Sequence, residues 1–464
     1  MAKKSLPPDL RIGGPPFGKG REKSKKEFYQ YHEPINFRES WRIFKIMAEF
    51  VEGYQFLSQF RREVTVFGSA RKEMPAKYYK MATELTRMLG KNGNTIITGG
   101  GPGIMEAANK GAYEAGAESI GLDIQLPFEQ VTNPYVKKGI GFNFFFTRKV
   151  MLTAPSQALV AFPGGFGTLD EFFEVLDTMD LGKMRKCPAI AVGREFWGPV
   201  RDFLSEYSGG TGAVNDKILN SFEVVDSAVE AFDIVKKTRD YEHGGEEYAV
   251  AKFSSKEAAN WRIFRIMAEL VEGFEFVSGI KNDITILGTK SLGPDTAEYE
   301  EAYNLAYALG KEKFAIITGG GSGIMEAANK GAYEAGAESV GLDIRFDREE
   351  RHNAFVKKTL GFFFPFTRKL IITAPSRAFV IFPGGLGTLH QFFELLTLVQ
   401  TGKLGKMPLI LFGKKFWSPL DNFIREVMLK KFKSISEKDI ELYRIADTKE
   451  EAMKIIKEQP RKEF

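Results

Sequence analysis

With 464 residues, the chain exceeds what one hydrophobic core usually organises, so more than one domain is expected. The net charge of +5 is unevenly spread, because residues 1–35 carry eight Lys or Arg against four Asp or Glu and leave only about +1 for the remainder. A nearly neutral folded part argues against nucleic-acid binding, and the lack of an apolar run of about 18 residues argues against a membrane span.

The N-terminal residues predict no folded element. Residues 1–35 are dense in Pro, Gly and Lys and too polar to pack, so we expect a flexible basic tail. This segment also lacks the apolar stretch of a signal peptide, and the single Cys187 excludes an internal disulfide. These features favour a cytoplasmic protein.

Helical and strand-like segments then alternate. Residues 37–60 place aromatic and aliphatic side chains at helical spacing, which predicts a helix. Short apolar, β-branched runs follow at 64–68, 95–98, 119–124, 158–162 and 188–192, with helix-compatible stretches between most of them. This alternation predicts an α/β fold, a doubly wound, Rossmann-like parallel sheet covered by helices on both faces.

The second half of the sequence repeats the first at a constant offset of 220 residues. Arg148 matches Arg368, Trp197 matches Trp417, and residues 103–119 and 323–339 are identical. A period this long indicates two tandem domains, because solenoid repeats span only about 20 to 50 residues. We predict copy one at 36–240 and copy two at 258–464, joined by a linker at 241–257 that contains a Gly pair, charges and serines.

Two glycine-rich loops follow predicted strands in copy one, at 98–103 and 163–168. Unpaired N–H groups at the start of the next helix, together with its dipole, attract a phosphate in such loops. Neither loop fits the Walker pattern or the dinucleotide fingerprint. A glycine-rich turn can also be only a tight connection, but two such loops in one copy make that alternative less favourable.

The second loop ends differently in the two copies, with Thr168 and Glu171 in copy one against Thr388 and Gln391 in copy two. Thr-x-x-Glu at a helix start can be a capping box, which accepts Gln as readily as Glu. The exchange therefore carries functional information only if the carboxylate has a further task, such as orienting water or facing a developing cation.

The combined motifs PGGxGTxxE and GGGxGIMEAAN, with Arg148 after an aromatic run, resemble the LONELY GUY (LOG) family of nucleoside 5′-monophosphate phosphoribohydrolases, formerly mislabelled as lysine decarboxylases. The resemblance spans roughly residues 40–235 and 260–455. It implies hydrolysis of the N-glycosidic bond of a nucleoside 5′-monophosphate, AMP-like and purine-leaning, to a free base and ribose 5-phosphate.

The resemblance also implies roles for individual residues of copy one. Arg148 and Glu171 take the catalytic positions, and residues 126–133 resemble a substrate loop. The phosphate would be held by Gly164, Gly165, Gly167, Thr168 and Ser69, and the ribose and base side would be lined by Gly100, Gly101, Glu106 and Asn133. No cofactor is expected, and no metal, because the four His residues are not clustered with Cys or carboxylates.

Copy two is predicted to be a degenerate site. It retains Arg368, Gly384, Gly385, Gly387 and Thr388, but Gln391 replaces the carboxylate, and a neutral amide cannot act as a general base. Copy two would then be a pseudoenzyme that acts as a scaffold or as a nucleotide sensor. Because members of the family dimerise, we expect an intramolecular pseudo-dimer of the two copies or a homo-oligomer.

Two other functions remain open at the level of sequence. The chain could be a non-catalytic carrier or sensor of a phosphorylated ligand, such as a nucleotide signal or a pterin-type cofactor. A protein that handles single-stranded DNA fits poorly with the nearly neutral folded part.

Overall fold

Each half of the chain builds a sheet of seven parallel strands, in a computed structural model that describes residues 40–125, 132–238, 256–345 and 352–458. The predicted α/β fold, two tandem doubly wound sheets covered by helices, is confirmed. The predicted tail at 1–35 and most of the predicted linker at 241–257 lie outside the described residues. The domain boundaries themselves stay predictions.

Copy one has the strand order β4-β3-β2-β1-β5-β6-β7. Its strands are β1 Glu63–Phe67, β2 Thr95–Thr98, β3 Ser119–Ile124, β4 Lys138–Phe142, β5 Ala158–Ala161, β6 Ala189–Val192 and β7 Phe222–Val225. Its helices are α1 Ser40–Leu57, α2 Ala76–Lys91, α3 Ile104–Glu114, α4 Phe145–Thr153, α5 Phe166–Asp180, α6 Arg194–Phe203, α7 Asp216–Leu219 and α8 Ala228–Lys236.

Copy two has the same order, β11-β10-β9-β8-β12-β13-β14. Its strands are β8 Asp283–Leu287, β9 Ala315–Thr318, β10 Ser339–Ile344, β11 Lys358–Phe362, β12 Ala378–Ile381, β13 Leu409–Phe412 and β14 Arg444–Ala446. Its helices are α9 Lys256–Ser278, α10 Ala297–Lys311, α11 Ile324–Glu334, α12 Pro365–Thr373, α13 Leu386–Gln400, α14 Lys414–Asn422 and α15 Lys449–Lys457.

The central strands are short apolar runs because helices cover the sheet on both faces. Every residue of β1, β2 and β5 is buried, so both the inward and the outward side chains of each strand must be compatible with a core. The edge strand β4 pairs only with β3 and contains two glycines and an exposed Lys138. The sheet thus fixes the carboxyl ends of β1, β2, β3 and β5 side by side.

The two copies pack against each other along their helices. Helix α1 contacts α9, and α5 contacts α13. We call the contact between α5 and α13 the seam. Phe173 and Phe393 stack across it with ring centroids 5.5 Å apart and an angle of 7° between the ring planes, and Phe166 also contacts Phe393. A hydrophobic core cluster therefore runs from copy one into copy two, and a second cluster lies within copy two alone.

Candidate active site

The strand order reverses between β1 and β5, which lie side by side in the first sheet. Open α/β sheets bind their ligands at this switch point, beyond the carboxyl ends of the strands. The loops after β1 and β5 meet there, because the Ser69 amide donates to the Pro163 carbonyl at 3.1 Å. The Ile104 amide at the start of α3 donates to the Ser69 carbonyl at 2.9 Å, which brings the first glycine loop to the same place.

The glycine loop after β5 ends at the N-terminus of α5. Gly165 is the N-cap residue, and within the described part of the chain no side chain caps this end, so the first N–H groups of the helix can serve an anion. The Thr168 hydroxyl lies directly against Gly164, where a Cβ atom would collide with it. Gly164, Gly165 and Thr168 thus form a tight turn, and Ser69 lies buried beside it.

The capping-box interpretation of Thr168 and Glu171 is wrong. Thr168 is the third residue of α5, not its N-cap, and the Glu171 carboxylate faces Arg148. Glu171 Oε1 lies 3.7 Å from Arg148 Nη2, and the two side chains are only 14% and 10% exposed, respectively. The carboxylate that distinguishes the copies therefore lies beside the arginine that the family resemblance pairs with it.

Arg148 is held in place by backbone on the side away from Glu171. Its Nε donates to the Leu122 carbonyl of β3 at 2.8 Å. The guanidinium also packs over Gly99, where there is no room for a Cβ atom. Only a glycine at position 99, directly after β2, leaves room for the Arg148 guanidinium in this position.

The environment of Glu171 suits a base. Burial raises the pKa of its carboxyl above the ordinary value, and the positive charges of Arg148 and Lys149 oppose that shift. A general base is most effective when its pKa approaches the working pH, so this direction favours proton transfer.

The first glycine loop is shaped by Asn133. Gly100 has φ of +73°, a conformation that favours glycine. The Asn133 side-chain amide donates to the carbonyls of Gly100 and Gly101 at 2.9 and 3.0 Å. Asn133 therefore supports the loop from within the protein, while Glu106 lies partly exposed in the first turn of α3, 3.5 Å from the Tyr79 hydroxyl.

Two features of the site were missed by sequence reasoning. Asp123, near the end of β3, lies against Gly100 and accepts from the Thr132 hydroxyl at 2.5 Å, and burial raises the pKa of its carboxyl. Lys149 is buried with its Nζ 2.6 Å from Asp170 Oδ1. Asp123 could have been found from its place near the end of a predicted strand, whereas the partner of Lys149 depends on the packing of α4 against α5. The predicted substrate loop lies, for residues 126–131, outside the described residues.

Copy two builds the same frame without the carboxylate. Arg368 donates through Nε to the Leu342 carbonyl, and Thr388 packs against Gly384 as Thr168 packs against Gly164. Gly385 is the N-cap of α13, and Gly387 lies in its first turn. Gln391 follows at the position that Glu171 holds in copy one.

Two open parallel sheets, each with glycine loops at its switch point, define an α/β protein of the doubly wound class. A family model described as "Possible lysine decarboxylase" matches residues 105–235 and 325–456, once in each copy. Because the matched segments cover more than half of the chain, the protein belongs to this family as a tandem pair.

Relatives with curated names agree with the LOG resemblance of the motifs. The cytokinin riboside 5′-monophosphate phosphoribohydrolase LOG of Oryza sativa subsp. japonica is 28% identical over 186 residues, which cover 40% of this chain and 75% of the relative. A relative from Arabidopsis thaliana with the same activity in its name is 26% identical over 199 residues, which cover 42% of this chain and 90% of the relative. The family recognised from the motifs is thereby confirmed.

Among solved structures, the molybdenum cofactor carrier protein of Chlamydomonas reinhardtii aligns at 23% identity with a TM-score of 0.30, covering 38% of this chain and 98% of the other.

Within the described ranges, no helix is long and apolar enough to cross a membrane. In that same part of the chain, no group of three or more His, Cys, Asp or Glu side chains is arranged to hold a metal ion.

Proposed function

We propose that copy one hydrolyses the N-glycosidic bond of a nucleoside 5′-monophosphate, AMP-like and purine-leaning, to a free base and ribose 5-phosphate. Membership of the family and the phosphoribohydrolase names of its relatives support this class of reaction. The observation that carries the proposal is the buried pair of Arg148 and Glu171, 3.7 Å apart, beside the glycine loop that opens α5.

The phosphate would bind at the N-terminus of α5. The N–H groups of the first turn and the positive end of the helix dipole favour a dianion there, and Thr168 adds a hydroxyl. Ser69 and the backbone of Gly164 complete the turn. Binding of the phosphate at this fixed point would carry the sugar toward Arg148 and Glu171, because Glu171 lies on the same helix as the phosphate site and Arg148 lies 3.7 Å from it.

Glu171 would act on the sugar carbon and on water. Departure of the base with the electron pair of the C1′–N bond leaves positive charge on C1′ and the ring oxygen, which a carboxylate stabilises. Glu171 then takes a proton from the water whose oxygen bonds to C1′, and the departing base takes up one proton from the solvent, to which Glu171 returns its own at the end of the cycle. Arg148, with its planar, fork-shaped guanidinium, would clamp ligand oxygens and orient the carboxylate.

Copy two would not catalyse this reaction. Gln391 cannot accept a proton from water, although Arg368 and the glycine loop remain. We therefore propose one catalytic site and one non-catalytic copy in each chain.

The test is a substrate panel with the full-length chain. Purified protein is incubated with AMP, GMP, CMP, UMP, their deoxy forms and a cytokinin riboside 5′-monophosphate, and free base and ribose 5-phosphate are measured by chromatography. We expect both products in equal amounts, most rapidly from a purine nucleotide. Calorimetric binding of these nucleotides without release of base from any of them would reject hydrolysis and favour the carrier or sensor alternative.

A further inference from the structure

Besides Glu171 and Gln391, two pairs of equivalent positions on α5 and α13 that lie at the seam differ in charge between the copies. Asp170 of copy one corresponds to His390 of copy two, and Asp177 corresponds to Thr397. Copy one therefore brings a carboxylate to the seam at both positions, and copy two brings none. These exchanges lie inside the protein, where His390 is fully buried and the Asp177 side chain is only 13% exposed.

The exchanges compensate each other across the seam. In copy one, Lys149 pairs with Asp170 of its own copy at 2.6 Å. In copy two the equivalent Lys369 contacts His390 and obtains its carboxylate from copy one, because Asp177 Oδ2 lies 3.4 Å from Lys369 Nζ. Burial alone would raise the pKa of Asp177, but Lys369 and His390 hold it below its ordinary value, so the carboxylate is charged.

Asp177 also lies against the glycine loop of copy two. Its Oδ1 is 3.1 Å from the point that a Cβ atom on Gly387 would occupy, in the first turn of α13. At the equivalent place in copy one, the Thr397 methyl group lies 3.7 Å from the Cβ position of Gly167. The loop of copy one thus faces a neutral methyl group, whereas the loop of copy two faces a charged carboxylate.

The loops after β1 and β8 differ in the placement of their charges as well. Arg71 follows Ser69 by two residues, donates its amide to the Ser69 hydroxyl and is held by Asp439 of copy two at 3.5 Å. The equivalent residue in copy two is Ser291, and the only positive charge of that loop is the exposed Lys290. Copy one therefore has an arginine, paired with Asp439, where copy two has a serine.

We infer that Asp177 of copy one closes the glycine loop of copy two to phosphate, so that each chain binds a single nucleoside monophosphate, in copy one. The inference rests on the proposed function, in which the phosphate binds at the first turn of α5. A phosphate at the first turn of α13 would share that turn with a carboxylate, and repulsion in a partly buried site weakens binding by about tenfold or more. Asp177 itself already complements the positive end of the α13 dipole.

This assignment makes copy two a scaffold and not a nucleotide sensor. Copy two supplies a wall to the first site, since the Ser434 carbonyl lies 2.9 Å from the Cβ position of Gly165 and Thr397 faces Gly167. The glycine loop of copy two keeps a structural role in this assignment, because it begins α13, which forms the seam with α5.

The test counts bound AMP on the full-length chain with Glu171→Gln, which is expected to slow turnover by about 10²-fold to 10⁴-fold. Equilibrium dialysis with radiolabelled AMP is expected to give one AMP per chain. Adding Asp177→Thr and His390→Asp gives Lys369 a carboxylate on its own copy, as Lys149 has, and presents a neutral residue to Gly387. This variant is expected to bind two AMP per chain.

Two further variants control the experiment. Asp177→Asn removes the charge with little change in shape and should also admit a second AMP. It keeps the test decisive if the multiple variant does not fold. Asp180→Asn removes a more exposed carboxylate from the end of the same helix and should leave one AMP per chain. Circular dichroism melting curves establish that each variant is folded.

The outcomes separate this inference from the proposed function. Two AMP per chain with Asp177 in place, one AMP per chain after its replacement in folded variants, or no bound AMP at all would each overturn the inference. Hydrolysis is scored separately on the wild-type chain, and failure to release base there rejects the proposed function whatever the number of bound nucleotides.

Discussion

Glu171 and Gln391 have nearly the same shape and follow the same glycine loop, so their exchange alters charge and proton affinity and little else. Glu171 is buried beside Arg148, whose guanidinium is fixed by the Leu122 carbonyl. A side chain held in this way can face the sugar carbon without reorganising during the reaction. At this position, the difference between the copies is the ability to take up a proton.

Glu171→Gln should lower kcat for AMP by about 10²-fold to 10⁴-fold, the usual range for loss of a general base, while AMP binding persists. The amide keeps the size of the side chain, so the phosphate site is undisturbed. Released base measured by chromatography gives kcat, and calorimetry gives Kd. Glu195→Gln, the same substitution at a half-exposed surface position, serves as the control and should leave turnover unchanged. Unchanged turnover in the Glu171 variant would remove this residue from the mechanism.

The pH dependence should report the same carboxyl group. Glu171 must be deprotonated to act, so kcat/KM should fall as the pH is lowered through its pKa. Because burial raises that pKa, the midpoint should lie above the ordinary value of 4.5. The residual rate of the Glu171→Gln chain should lack this acidic limb in a profile measured over the range in which the protein stays folded. An identical limb in the two proteins would assign it to another group.

At the scale of elements, the sequence predicted the strands with two neighbours and missed the edges. The runs at 64–68, 95–98, 119–124, 158–162 and 188–192 match β1, β2, β3, β5 and β6 within a residue or so. The strands β4 and β7 lie at the two edges, have one neighbour each and need no continuous apolar run. Helix α5 begins at Phe166, because its N-cap is Gly165 and not Thr168, which the capping-box alternative would require.

The candidate site was accessible to sequence reasoning only in part. Arg148 and Glu171 could be paired through the family resemblance, which assigns both to catalytic positions. The pair of Lys149 and Asp170, and the contact of Asp177 with Gly387, arise from helices that meet through tertiary packing. No local pattern encodes which residues of α5 and α13 face each other.

The end of β2 offers a prediction about the loop that supports Arg148. Gly99→Ala should displace the Arg148 guanidinium and lower kcat/KM by at least about tenfold, since misplacement of a positioning group by about 1 Å can cost about 100-fold. Gly198→Ala in α6 is the matched control, because nothing lies within 4 Å of its Cβ position and Ala favours a helix. Steady-state kinetics give kcat/KM for both variants. Equal values would show that the side-chain-free position 99 is not required to place Arg148.

At the scale of the whole molecule, each copy donates a lysine hydrogen bond to the backbone that follows the third strand of the other copy. Lys403 of copy two donates to the Gln125 carbonyl at the end of β3 at 2.8 Å, and Lys183 of copy one donates to the Arg345 carbonyl at 3.0 Å. The seam joins these contacts to the stacked rings of Phe173 and Phe393. Copy two therefore helps to hold the backbone around the proposed site of copy one in position.

Phe393→Ala tests this dependence, because it alters copy two alone. Phe393 is fully buried at the seam, and its truncation should destabilise the chain by about 3 to 5 kcal/mol. It should also lower kcat/KM of copy one below the melting temperature, since Thr397 and Ser434 line the loop that begins α5. Phe382→Ala is the control: Phe382 is as deeply buried in copy two but stacks on Phe412, away from the seam. Calorimetric unfolding should show a similar loss of stability for both variants, whereas only Phe393→Ala should lose activity. Equal kcat/KM values for the two variants would mean that the proposed site of copy one works without support from copy two.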